Sequence, residues 1–319
     1  LKALVTGGAG FIGSHVVEDL LRKGFEVVVI DNLSSGKYEY IEKYVLSGDI
    51  KFVNTDLKSF SDELLNLFKN VDVVYHLAAN PEVRTSLTEP RVHFNDNVLA
   101  TFNVLEACRL NNVKSLVFTS SSTVYGDAKV IPTPENYSPL EPISVYGASK
   151  LASENLIITY SRLYGIKSII LRLANIVGSR QSHGVIVDFI KKLRSNPEKL
   201  EILGDGKQRK SYLHISDLIT AINTIMENAE GLKSSYEVFN VGNIDWIDVD
   251  EIASEVVSKL GLKDVKFHHV MTTSDGRGWV GDVKFMLLDV SKLCSLGWKP
   301  RLNSREAIRV AIEEIIKYL

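Results

Sequence analysis

The chain has 319 residues, 45% of them hydrophobic and 24% charged, with 37 basic against 39 acidic side chains and a formal charge of −2. That length accommodates one large domain or two closely joined ones, and the near-neutral balance gives no reason to expect nucleic acid or an anionic membrane as partner. No apolar run approaches the roughly 18 residues that span a bilayer; the two cysteines, Cys108 and Cys294, lie far apart without metal-ligand spacing, and the chain opens on a strand, not a leader, so a cytoplasmic protein is expected.

The first predicted strand, residues 3–6, runs into glycines spaced both as Gly8-x-Gly10-x-x-Gly13 and as Gly7-x-x-Gly10-x-x-Gly13, before a helical pattern carrying Val16, Val17, Leu20 and Leu21. Glycine permits the tight turn and lets N–H groups at the helix start meet a pyrophosphate. A second predicted strand, residues 27–30, ends in Asp31, an acid at about the 20-residue offset suited to a ribose diol. A carboxylate there repels a 2′-phosphate, so the expected cofactor is NAD and not NADP.

Further strands are predicted at residues 51–53, 71–77, 116–119, 168–173 and 238–241, with helical patterns between most of them, such as Phe94, Val98, Phe102 and Leu105. Continuous apolar strands alternating with helices predict an α/β fold with a Rossmann-type, doubly wound parallel sheet and ligands at its carboxyl edge. The strand exits carry small or polar residues: Asp31, Asp56 and Leu57, Ala78 and Ala79, Ser120 to Ser122, Ala174 and Asn175. Residues 1–173 are expected to form the NAD-binding domain, and 174–319 mainly a smaller mixed α/β substrate-binding lobe, with 212–243 returning to the first domain. Within that stretch, 216–228 reads as helix and 237–242 as strand. A last amphipathic helix carries Ile308, Ala311, Ile315 and Leu319.

Two features suggest catalysis. Tyr146 and Lys150 are four apart on a predicted helix, one turn above each other. A nearby ammonium and an oxidised nicotinamide would lower the tyrosine pKa toward working pH and make it a general base for a sugar hydroxyl. Taken alone, the pair reads equally as surface residues at helical spacing. Ser120, Ser121 and Ser122 at a strand exit offer hydroxyls that hold the same oxygen, or that merely cap backbone. Their order with the glycine loop favours the catalytic reading of both.

Together, Thr-Gly-Gly-Ala-Gly-Phe-Ile-Gly-Ser, Asp31-Asn32-Leu33-Ser34, His76-Leu77-Ala78-Ala79, Asn97-Val98-Leu99-Ala100-Thr101, Ser-Ser-Ser-Thr-Val-Tyr-Gly and Tyr-Gly-Ala-Ser-Lys resemble the extended short-chain dehydrogenase/reductases, and among them the UDP-glucose 4-epimerases. The resemblance continues through Gly204-Asp205-Gly206 and Gly281-Asp282 to Leu296-Gly297-Trp298. It implies Tyr146 as base, Lys150 as its partner on the nicotinamide ribose, and Ser121 at the substrate 4-hydroxyl with Ser122 beside it. It also implies Gly7, Gly10, Phe11, Ile12 and Gly13 on the pyrophosphate, Asp31 and Asn32 at the adenosine ribose, Asp56 and Leu57 at adenine, and Ala78, Ala79 and Asn97 along the cofactor channel. Asn175 corresponds to the asparagine that binds the nucleotide sugar. The implied reaction is 4-epimerisation of a UDP-hexose, and the implied assembly a homodimer built on the helices of residues 94–110 and 146–164.

The sequence departs from this pattern in places. Where 4,6-dehydratases place Asp-Glu, it has Ser122-Thr123, neither of which can act as a carboxylic acid; decarboxylases commonly keep a glutamate at the second position. Many relatives carry Arg-Asp-[Phe/Tyr] where Lys210-Ser211-Tyr212 stands, with Arg209 one residue earlier, so either Arg209 or Lys210 is expected on the diphosphate. Trp279 replaces a usual arginine two before Gly281, leaving Arg277 as a further candidate. Met286, at a position the resemblance sets beside the sugar, leaves room for an N-acetylhexosamine or serves as core; UDP-glucuronate is a further alternative. His183, His214, His268 and His269 show no metal pattern. Readings kept open beside the epimerase are a net dehydrogenase and an idle NAD-binding scaffold.

Overall fold

A computed structural model of the chain describes residues 1–231 and 234–318. Seven strands, β1 (Lys2–Thr6), β2 (Glu26–Asp31), β3 (Ile50–Asn54), β4 (Val73–His76), β5 (Ser115–Ser121), β6 (Lys167–Leu173) and β7 (Tyr236–Val241), form one sheet in the order β7-β6-β5-β4-β1-β2-β3. These are the seven apolar runs predicted above, with ends shifted by a few residues.

The ladders β1–β2, β1–β4, β2–β3 and β4–β5 are parallel. β7 runs the same way along β6, since Ser168 N bonds Ser235 O at 3.1 Å and Ala174 N bonds Val241 O at 2.8 Å. Val27 to Ile30 and most of β4 to β6 are buried because both faces of the sheet are covered, which is why these strands read as unbroken apolar runs. The strand order reverses between β1 and β4. In an open sheet of this kind the ligand crevice lies outside the carboxyl ends at such a reversal.

The chain divides into two compact units. The first comprises residues 1–121, 145–172 and 229–239; the second comprises 122–144, 173–228 and 240 onward. Leu4, Ile30, Phe68, Leu105, Leu116 and Ile157 anchor the core of the first.

In that unit the helical segment of residues 90–110 is not uniform. It starts as α-helix (Pro90–His93), widens to a π-helix (Phe94–Leu99) and returns to α-helix (Ala100–Leu110). The wider turns break the 3.6-residue repeat, so Asn97 is buried at 2% exposure while Phe94 and Phe102, expected on one apolar face with Leu105, are 58% and 41% exposed.

The second unit has its own core, including Ile190, Ile252 and Ile308, and small sheets pairing Asn175–Val177 with Tyr212–His214 and Arg209–Lys210 with Ile247–Asp248 and Phe285–Met286. The helix Ile215–Asn228 forms as predicted. The helix Ser304–Ile316 starts with an Asn303/Glu306 capping box and buries Ile308, Ala311 and Ile315; Leu319 lies outside the described residues.

Candidate active site

In the first unit the glycine loop joins β1 to the helix Phe11–Arg22. Gly7 has φ +70°, and a Cβ there would lie 2.7 Å from Ala78 N; at Gly13 it would lie 2.0 Å from Gly7 O. Both positions therefore need glycine for the protein's own packing. Gly10 differs: its φ is −80°, and a Cβ would meet only Gly7 O, at 3.1 Å. No side chain caps the helix start, so the N–H groups of Phe11 and Ile12 suit an anion there.

Asp31 closes β2. Its carboxylate accepts Ala9 N–H at 3.0 Å and Leu33 N–H at 2.8 Å, which fixes the loop and leaves lone pairs for a diol. Burial raises its pKa against the pull of those two N–H groups. Asp56 accepts Lys58 N–H at 2.9 Å and the Asn32 amide at 3.2 Å. Burial works upward on this carboxyl, but these bonds and the Lys58 ammonium outweigh it and hold the group below its ordinary range. Leu57 is buried, and its carbonyl accepts from Asn103 at 2.8 Å.

A polar chain that sequence reasoning missed supports the β4 exit. Leu77 and Ala78 N–H donate to Thr6 Oγ1 at 3.2 and 3.3 Å. The hydroxyl hydrogen is thereby directed to His76 Nδ1 at 2.7 Å, and His76 Nε2–H is left to donate to Thr101 Oγ1 at 2.9 Å. Thr101 then donates to Asn97 O at 2.5 Å. His76 is fully buried, and burial, aided by the Lys150 charge, pushes its pKa down to about 3. Asn97 accepts Asn80 N–H at 2.9 Å and donates to Ser149 Oγ at 2.8 Å, and Ser149 donates to Tyr146 O at 2.7 Å. Asn97 thus braces the segment after Ala78 and Ala79 against the turn that carries Tyr146.

Tyr146 and Lys150 lie on the helix Val145–Tyr164. The Tyr146 hydroxyl is hydrogen-bonded to Ser121 at the end of β5, and its ring meets His93 edge-on at 5.6 Å between centroids. Lys150 is 3% exposed; its Nζ donates to Thr119 O at 2.9 Å and lies 5.9 Å from the centre of the Tyr146 ring. Burial pushes the Tyr146 hydroxyl up to about 12 against the Ser121 hydrogen bond, and pushes Lys150 down to about 7 against the attraction of Glu154. In a poorly solvated place both groups are driven toward their neutral forms.

In the second unit Ser122 begins a short 3₁₀ turn (Ser122–Tyr125), and Asn175 donates its side-chain amide to Ser211 O at 3.2 Å. The three basic candidates separate. Lys210 and Arg277 both bind Asp282, Lys210 Nζ at its carboxylate (2.5 Å) and Arg277 at its carbonyl (2.9 Å). Arg277 also reaches Asp275 at 2.7 Å and Asp127 at 3.1 Å. Arg209, the neighbour of Lys210 on a strand and so directed to the opposite side, lies over the Trp246 ring at 6.0 Å. Trp279 lies beneath Lys210 at 5.7 Å. Met286 is 7% exposed and pairs with Lys210 in parallel register. Among the described residues no group of acids, histidines and cysteines is arranged to hold a metal, and no helix is long and apolar enough to cross a membrane.

The profile of the NAD dependent epimerase/dehydratase family matches residues 3–242. A putative UDP-glucose 4-epimerase of Methanocaldococcus jannaschii is 36% identical over 312 residues, 96% of this chain and 95% of its own length. A crystal structure of a UDP-galactose 4-epimerase is 48% identical with TM-score 0.89, each chain covered entirely. A UDP-N-acetylglucosamine 4-epimerase from Methanobrevibacter ruminantium, solved with UDP-N-acetylmuramic acid, is 31% identical with TM-score 0.85, covering 100% of this chain and 99% of the other.

Proposed function

Because the chain belongs to the NAD-dependent epimerase/dehydratase family and, within it, to the UDP-sugar 4-epimerases, we propose that it interconverts UDP-glucose and UDP-galactose. The observation that carries this reading is the set Ser121, Tyr146 and Lys150, joined by hydrogen bonds to one end of β5 in the unit that also holds the glycine loop and Asp31.

Inversion at C4 requires the 4-hydroxyl to lose a proton and the carbon a hydride, and both to return with the sugar's other face presented. NAD, when bound, supplies the reversible hydride acceptor. Tyr146 takes the proton at its hydroxyl oxygen and later gives it back, while Ser121 holds the same substrate oxygen. Lys150, anchored on Thr119 O, favours the phenolate in its ammonium form and holds the nicotinamide ribose. The N–H groups of Phe11 and Ile12 with Gly7, Gly10 and Gly13 hold the pyrophosphate; Asp31 and Asn32 take the adenosine ribose, and Asp56 and Leu57 flank the adenine. In the second unit Asn175 binds the nucleotide sugar, and Lys210 and Arg277 bind its diphosphate, with Arg209 the weaker candidate because it is stacked on Trp246.

Exposed Phe94, Phe102, Leu110, Leu163 and Tyr164 on two helices of the first unit support a homodimer, which light scattering of the eluted protein would test. A second substrate reading, a UDP-N-acetylhexosamine, is favoured by Met286, flexible where a bulky aromatic would restrict the sugar. The deciding experiment incubates purified protein with UDP-galactose, first alone and then with added NAD, and separates the UDP-hexoses. Equilibration without net NADH supports the proposal. No conversion of UDP-galactose beside conversion of UDP-N-acetylglucosamine or UDP-glucuronate would overturn the substrate.

A further inference from the structure

Three successive residues of β5 meet one face of the helix Val145–Tyr164. Ser121 bonds the Tyr146 hydroxyl, Thr119 O accepts Lys150 Nζ at 2.9 Å, and Ser120 Oγ donates to Glu154 Oε1 at 2.5 Å. Tyr146, Lys150 and Glu154 are spaced four apart, so they stack one turn above another. The proposed reaction uses the first two and has no part for the third. Glu154 is nevertheless 1% exposed, and Arg172 of β6, itself 4% exposed, clamps it with Nε at 3.0 Å from Oε1 and Nη2 at 2.7 Å from Oε2.

We propose that Glu154, held by Arg172 and Ser120, is a positioning residue that keeps Lys150 in its ammonium form on the Thr119 carbonyl. The inference rests on the reading of Lys150 as the cation that assists Tyr146. A buried carboxylate and guanidinium are both costly to desolvate, and a pair of apolar side chains would tie the helix to β6 at least as well. The charge is therefore best explained by what it acts on. Burial works against the Lys150 cation, and Glu154 is the carboxylate that opposes it. Among the described residues Glu154 is the carboxylate that acts on Lys150; the aromatic rings beside it favour a cation but carry no charge. The rings of Phe118 and Tyr146 lie 4.9 and 5.9 Å from Nζ. His76 is neutral. His93 is held below its ordinary value by burial, with Asp96 and Glu82 pulling upward and Lys150 downward. Arg172 is a like charge that Glu154 masks.

Removing the Glu154 carboxylate and removing the Arg172 guanidinium predict shifts of opposite sign at Lys150, whereas loss of packing alone moves both the same way. In protein labelled with ¹³Cε-lysine, with the Lys150 resonance assigned from Lys150→Met, Glu154→Gln should lower the Lys150 titration midpoint by about one pH unit or more. Arg172→Met should raise it, and Glu154→Asp, which keeps the charge, should restore most of the wild-type value. Midpoints that stay in place, or that move the same way in both variants, would overturn the proposal. If Glu154→Gln does not fold, Arg172→Met and Glu154→Asp carry the test. The titration needs no substrate, so a failure of UDP-galactose turnover with the opposite shifts intact would count against the substrate reading alone. The alkaline limb of kcat with the working substrate should move with the same midpoint.

Discussion

Gly13→Ala and Gly10→Ala should separate packing from cofactor binding within one loop. At Gly13 the new methyl would lie 2.0 Å from Gly7 O and 2.8 Å from Gly8 Cα, both backbone atoms that cannot swing aside. Restoring an ordinary contact means opening the turn by about 1.4 Å, an overpacking that costs roughly 1–3 kcal/mol of stability. The N–H groups of the helix start move with it. Hydrogen bonds to a charged group are worth about 1.5–3 kcal/mol each, so losing the alignment of even two should weaken NAD binding by at least about a hundredfold. At Gly10 the backbone is already in a region open to any residue, and the methyl meets a single atom at 3.1 Å. Stability should fall by about 1 kcal/mol or less, while NAD affinity should still fall at least tenfold, because the methyl occupies space that no protein atom fills. Urea unfolding without ligand and calorimetric titration with NAD measure the two quantities separately. If Gly10→Ala binds NAD like wild type, or if Gly13→Ala is as stable as Gly10→Ala, the division between packing and ligand approach is wrong.

Tyr146→Phe should lower turnover by about a hundredfold to ten-thousandfold while leaving NAD affinity within about threefold; unchanged turnover would remove Tyr146 as the base. The difference in ultraviolet absorbance between wild type and Tyr146→Phe should titrate near pH 12 without added cofactor and about 1–3 units lower with NAD, and a midpoint insensitive to NAD would show that the charge does not reach the hydroxyl. His76 has a folded pKa of about 3 against 6.5 unfolded, so below pH 6.5 the unfolded chain binds a proton that the folded chain refuses. Its contribution is complete above pH 6.5 and is lost as pH falls toward 3, about 1.4 kcal/mol being gone by pH 5.5; denaturant midpoints of His76→Asn should lack this slope. Arg277→Ala should raise KM for the UDP-sugar at least tenfold with kcat less affected, and Arg209→Ala should raise it by less than about threefold; the reverse order would exchange their roles.

What was legible in the sequence is what local rules dictate. A strand buried on both faces must be apolar along its whole length, so all seven strands of the large sheet were visible. A turn that brings Gly13 to within contact of Gly7 admits only glycine, so the loop was visible too, and the four-residue spacing placed Tyr146 above Lys150. The π-helical stretch was not legible, because the register of Phe94–Leu99 depends on partners for Asn97 at Asn80 and Ser149, which are remote in sequence. Nor was the pairing of Arg277 with Asp127, 150 positions away.

Glu154 is the instructive omission, since a signal for it existed. A charged residue on a helix reads as solvated by default, yet Glu154 continues the stripe that begins with Tyr146 and Lys150, the two residues the sequence already set toward the site. Arg172, a buried cation on β6, needs a carboxylate partner, and Glu154 on that stripe supplies it. The same burial also acts on the tyrosine. Spacing brings an ammonium near a phenol, but the dry surroundings that make their interaction strong also penalise both charges. Proximity alone therefore does not make Tyr146 a base at neutral pH. In the proposed reaction it acts as one through two positive charges, that of Lys150, which Glu154 favours, and that of an oxidised nicotinamide.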